Sequence, residues 1–169
     1  MRLSSAKIQD IAGEMVGQLT RAGDIETSAP KEVAADLQSI LHQYVRDEQD
    51  INDKAKELLA ARGLPPTELG RLRRLVAEDR KVKLGDDAID YLLDQLVEML
   101  MYSNNVDEIF AEDVELRLKM RGPLRKAAAE EEKLQAEVRG QLKHVQEGTS
   151  VWEVEYRRMM DDIRRRKGI

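Results

Sequence analysis

Apolar residues recur along most of this chain at intervals of three and four, the spacing of one face of an α-helix. Ile8, Ile11, Ala12, Met15, Val16 and Leu19 form the first such series. Ser4 or Ser5 stands where a cap belongs, and Gly23 stands where a helix-ending glycine belongs. A second start follows at Ser28, with Pro30 and Glu32 in the first turn. The next series is long: Val33, Leu37, Ile40, Leu41, Tyr44, Ile51, Ala55, Leu58 and Leu59. Gly63 and Leu64-Pro65-Pro66 end it, because the residue before a proline disfavours the helical region. Thr67 is placed to cap a third helix with Leu69, Leu72, Leu75 and Val76 on its apolar side.

The pattern then starts again. With a shift of about 81 residues, Leu3, Ile8, Ile11, Ala12, Met15, Val16 and Leu19 fall on Leu84, Ile89, Leu92, Leu93, Leu96, Val97 and Leu100. Ile25 falls on Val106, Val33 on Val114 and Leu37 on Leu118. After a small length change, Glu48, Ile51, Ala55 and Leu59 fall on Glu131, Leu134, Val138 and Leu142. The block Leu72-Arg73-Arg74-Leu75-Val76 falls on Tyr156-Arg157-Arg158-Met159-Met160. Matches in one order across three blocks read as an internal duplication. The repeats are residues 1–82 and 83–169, each a short helix, a long helix and a short helix.

In the second repeat, Asp86 or Asp87 is the expected first cap and Ser103-Asn104-Asn105 the first stop. The long helix is expected from near Glu112 towards Gly148, interrupted at Gly122-Pro123, since an interior proline costs about 3 kcal/mol. Ser150-Val151-Trp152-Glu153 reads as a capping box, and Trp152, Tyr156, Met159, Met160 and Ile163 as the apolar side of the last helix. A 30-residue helix spans about 45 Å. Each long helix therefore needs a partner along its length. The expected one is the other long helix, antiparallel about a pseudo-two-fold axis, in one structural unit. The fold class is all-α, with six or seven helices.

Composition agrees with this. Of 169 residues, 36% are charged and only 4% aromatic, so a sheet protein is disfavoured. Cys is absent, which removes disulfides, thiolate metal sites and cysteine nucleophiles. The net charge of −5 argues against general attraction to nucleic acid or anionic lipid. Met1-Arg2-Leu3-Ser4 leads straight into an amphipathic helix without an apolar signal region. The most apolar stretch, Tyr91 to Tyr102, is too short to span a bilayer and carries Asp94 and Glu98. A cytoplasmic protein without membrane insertion is expected.

The start Met-Arg-Leu-Ser, the block Glu48-x-x-Ile51-x-x-x-Ala55-x-x-Leu58-Leu59 and the tandem halves together resemble the bacterial domain-of-unknown-function 507 family. The resemblance covers essentially the whole chain. It implies a soluble bacterial cytoplasmic protein and supplies no catalytic residue or cofactor. Gly122-Pro123, and Val138 where the first half has Ala55, depart from the pattern.

Motifs for chemistry are missing. No P-loop, dinucleotide-binding glycine motif or nucleophile elbow occurs. His42 and His144 lack the spacing of a metal or acid–base motif. The carboxylates Asp47, Glu48, Asp50, Asp53, Glu130, Glu131 and Glu132 lack the Glu-x-x-His partners of a helical metal site. They read as a solvated face, with Asp50 and Lys54 paired and Asp53 and Glu57 weakly repelling. Glu48 and Glu131 stand out because they match between halves and border the apolar stripe. No catalytic residue, metal or cofactor is expected.

The candidate contacts are arginines: Arg71, Arg73 and Arg74 on the third helix, and Arg157, Arg158, Arg164, Arg165 and Arg166 on the sixth. Guanidinium forks suit phosphate or carboxylate partners. They equally suit self-pairing, such as Arg157 with Asp161 and Arg158 with Asp162. Met99, Met101, Met159 and Met160 read either as core or as an adaptable groove. The expected function is that of a helical interaction or assembly protein binding a protein partner or itself. The alternative is an RNA-, ribosome- or DNA-binding protein that uses the arginines.

Overall fold

A computed structural model describes residues 2–169. It is all-α and 76% helical. Six α-helices occur among the described residues: α1 (Ile8–Arg21), α2 (Pro30–Ala61), α3 (Leu69–Asp79), α4 (Ala88–Tyr102), α5 (Asp113–Gln141) and α6 (Ser150–Lys167). The only strands among them are β1 (Ile25–Glu26) and β2 (Glu108–Ile109), two residues each. They pair antiparallel, Ile25 opposite Ile109 and Glu26 opposite Glu108.

The chain forms two compact units, and each draws on both halves of the sequence. The first comprises residues 1–46 and 85–128, the second residues 47–84 and 129–169. In the first unit, α1 buries Ile8, Ile11, Ala12, Met15, Val16 and Leu19. Helix α4 buries Ala88, Leu92, Leu93, Leu96, Val97 and Leu100. Val33, Leu37, Leu41 and Tyr44 of α2 and Leu116, Met120 and Leu124 of α5 are buried in this unit as well. The α4–β2 loop clamps α2. The Ser103 hydroxyl and the Asn105 side-chain amide both donate to the Asp36 carboxylate, and the Thr27 hydroxyl donates to the Asn105 carbonyl at 2.6 Å.

In the second unit, Leu134, Val138, Leu142, Met160 and Ile163 form one apolar cluster, flanked by Trp152, Tyr156 and Met159. The Trp152 and Tyr156 rings stack with centroids 4.7 Å apart. Leu72, Val76 and Ala77 of α3 are also buried, while Leu75 faces water.

Several expected boundaries are corrected. Helix α5 runs unbroken through Gly122-Pro123 and ends at Gln141, short of Gly148. Pro123 supplies no N–H to the preceding turn, but its ring and Leu124 are buried, which offsets that loss. The cap of α6 is Thr149, whose hydroxyl accepts from the Trp152 amide at 3.3 Å. Ser150 is already helical. None of Ser4, Asp87 and the residues next to Thr67 caps by side chain; instead short 3-10 turns over Ser5–Lys7, Pro66–Glu68 and Gly85–Asp87 lead into α1, α3 and α4.

The matched registers are corrected too. Val114 and Leu118 are 72% and 71% exposed, whereas Val33 and Leu37 are fully buried. Burial on α5 coincides with that on α2 at a shift of 83: Val33, Leu37, Leu41, Ile51 and Ala55 correspond to Leu116, Met120, Leu124, Leu134 and Val138. Glu48 and Glu131 fall in the same series. The burial patterns of α2 and α5 thus align with a separation of 83 along both helices, and the separation of 81 does not hold at Val114 and Leu118.

Lys81 gives a simple stability test. It follows α3 with φ of 57°, in the left-handed region that Gly23 and Gly63 occupy after α1 and α2. A Cβ in that region costs about 1–2 kcal/mol. Lys81→Gly is expected to raise stability by about 1 kcal/mol, a gain of about 3 °C in Tm for a chain of this size, read by calorimetry.

Candidate functional site

The arginines singled out from the sequence all fall in the second unit. Several of them are paired with carboxylates of the same unit. Arg71 bonds Glu68 at 2.6 Å, one turn back on its own side of the chain. Arg158 bonds Glu155 at 2.9 Å, and Arg165 lies 3.9 Å from Asp162. The pairs expected from Arg157 to Asp161 and from Arg158 to Asp162 do not form. The acceptor three residues back suits these side chains better than the one four residues on, because side chains lean towards the helix N-terminus. Asp50 takes Arg80 at 3.4 Å instead of Lys54, which bonds Glu57 at 3.0 Å.

Two of the singled-out residues do come together. Arg164 donates to the Glu131 carboxylate at 2.6 Å, between α6 and α5. Glu131 is a buried charge, 8% exposed at the side chain, while Arg164 keeps 29% in water. The same two helices are joined near the end of α6 by Lys167 and Glu137 at 3.3 Å. Glu153 near the start of α6 reaches Lys56 of α2. These bonds fasten α6 in place. Glu48 is half-buried on α2, and Arg73 is half-buried on α3. Arg74, Arg157 and Arg166 are exposed and form no ion pair among the described residues.

His42 is half-buried and His144 exposed, in different units. Among the described residues no group of three His, Asp or Glu side chains is placed to hold a metal ion. Met99 is half-buried and Met160 buried, whereas Met101 is 51% exposed.

A surface that the sequence reading touched only at Met101 lies on the first unit. Met101, Tyr102, Phe110, Val114 and Leu118 are all between 51% and 79% exposed. Soluble domains expose single apolar side chains freely, but five large ones from one stretch of chain are a different matter. The available signal was the register. A shift of 83 on the long helices takes Val114 and Leu118 off the series of Leu116, Met120 and Leu124 and leaves them apolar without a core to enter.

The fold defines an all-α protein of short and long helices, and among the described residues no helix is long and apolar enough to cross a membrane. The family model described as "Protein of unknown function (DUF507)" matches residues 1–169, and the chain belongs to that family. A comparison with curated proteins finds no match.

Proposed function

We propose that the chain is a non-enzymatic interaction protein of the bacterial cytoplasm, made of two copies of one helical unit, which works by binding a protein partner or itself. The observation that carries this reading is the exposed apolar set Met101, Tyr102, Phe110, Val114 and Leu118. Removing such side chains from water is the main favourable term in protein association. The agreement of burial at a shift of 83 supports the duplication. Against the nucleic-acid reading stand the net charge of −5 and the internal pairing of Arg71, Arg158, Arg164 and Arg165.

Two experiments divide these readings. Affinity capture from the native cell lysate, repeated after nuclease treatment, is expected to retain the same protein in both. Capture that vanishes with nuclease moves the function to nucleic acid. In the second experiment, mixed RNA at low salt is expected to show no saturable binding. Binding that falls steeply with salt and weakens in Arg157→Ala or Arg166→Ala contradicts the proposal, because phosphate neutralisation carries that signature.

A further inference from the structure

The exposed apolar residues of the first unit follow one another along the chain as one apolar strip: Met101 and Tyr102 end α4, Phe110 stands before α5, and Val114 and Leu118 lie on α5. Two ion pairs set the register of these helices: Arg121 with Asp90 and Arg117 with Asp94. Four residues forward on α4 answer to four residues back on α5, so the helices run antiparallel in steps of one turn. Continuing that register sets Glu98 at the first turn of α5, opposite Asp113 and next to Val114, and carries the end of α4 with Met101 and Tyr102 towards the connection that holds Ile109 and Phe110. Leu118 follows Val114 by one turn on α5.

The fold does not require this strip to be apolar. At the corresponding positions the first half carries Thr20 and Arg21 for Met101 and Tyr102, and Thr27, Lys31 and Ala35 for Phe110, Val114 and Leu118. The same kinds of helix are thus built with a polar or small outer face in one half and an apolar one in the other. Five side chains of this size, each with about 100 Å² in water, make an apolar strip of about 500 Å². That is near the most that a monomer ordinarily leaves uncovered.

The charges at the ends of the strip select its occupant. Glu108, Glu112 and Asp113 lie at one end of the α5 segment, and Arg125 and Lys126 at the other. All five are exposed, and none forms an ion pair among the described residues. A two-fold axis near Leu118 lays α5 antiparallel on the α5 of a second copy. Leu118 then meets its equivalent near the axis, Val114 lies against the 118–122 turn of the other copy, and the acidic end of each copy meets the basic end of the other. A closed two-fold contact needs this self-complementarity. With the charged ends added, the covered area approaches the roughly 800 Å² per partner of a standard interface.

The structure assigns the α4–α5 apolar strip as a homodimer interface, occupied by the same strip of a second copy; this rests on the interaction reading above and names its partner. Sedimentation velocity of the whole chain, from low to high micromolar concentration, is expected to show a monomer–dimer equilibrium. The double variant Val114→Lys/Leu118→Ala installs the residues of the first half and is expected to weaken dimerisation about a hundredfold or more. Its circular dichroism should match that of the parent. Arg125→Glu/Lys126→Glu and Glu112→Lys/Asp113→Lys should each be monomeric alone. Mixed, they should associate, because each then meets complementary charges at both ends.

A parent chain that stays monomeric throughout overturns the assignment, as does a Val114→Lys/Leu118→Ala variant that dimerises like the parent. If the parent is monomeric but nuclease-resistant capture from lysate is lost in that variant, the strip binds a different protein. The dimer assignment then fails while the interaction reading stands. If capture is also absent, both fail.

Discussion

Leu37→Ala lowers the unfolding free energy by about 3 kcal/mol, whereas Leu118→Ala changes it by less than about 0.5 kcal/mol. The two leucines look alike in sequence, and an 81-residue shift superimposes them. Leu37 is fully buried, so its truncation removes transfer energy and leaves a cavity that its neighbours fill only in part. Leu118 is 71% exposed and has little burial to lose. Met120, the buried counterpart of Leu37 at the corrected shift, should behave as Leu37 does, with a cost of about 2–5 kcal/mol on truncation to Ala. For a chain of this length, Leu37→Ala corresponds to a fall of about 10 °C in Tm. Denaturant unfolding at low protein concentration, where association plays no part, measures all three. Equal losses at Leu37 and Leu118 would contradict the burial described here.

Arg164→Met is expected to cost about 2–4 kcal/mol, and Glu131→Gln clearly less. The asymmetry follows from where each charge sits. Removing Arg164 strands the Glu131 carboxylate, 8% exposed, without its cation. Removing the charge of Glu131 leaves a guanidinium that still reaches water through its 29% exposure, and glutamine keeps an acceptor for it. The double variant Arg164→Met/Glu131→Leu should recover most of the loss, because a buried ion pair replaced by apolar groups of similar volume is often neutral or better. Thermal unfolding of the three variants measures this. Greater damage from Glu131→Gln than from Arg164→Met would show that the buried member of the pair has been misassigned.

The short helices were legible because their apolar series has a single solution. Positions 8, 11, 12, 15, 16 and 19 make one face, and Gly23 at φ of 73° ends the run as expected. Helix α5 was ambiguous for a physical reason. Val114 and Leu118 form one apolar row at helical spacing, and Leu116, Met120 and Leu124 form another. Periodicity cannot choose which row enters a core. The structure buries the second and leaves the first in water.

Pro123 misled for a related reason. Its propensity cost is local, while the burial that offsets it is tertiary and has no signature in the neighbouring residues. The arginine pairs were legible as charges but not as partners, since Glu131 lies 33 residues from Arg164 in the chain. The apolar strip was hidden by the same ambiguity as α5: exposed and buried leucines are the same letter.

The most direct test of the account is backbone hydrogen exchange of the whole chain at low and at high protein concentration. The account predicts slower exchange at high concentration over the end of α4 and the first turns of α5, from about Met101 to Lys126, with the second unit unchanged. Identical exchange across that segment at both concentrations, or protection confined to the arginine-bearing helices α3 and α6, would contradict it.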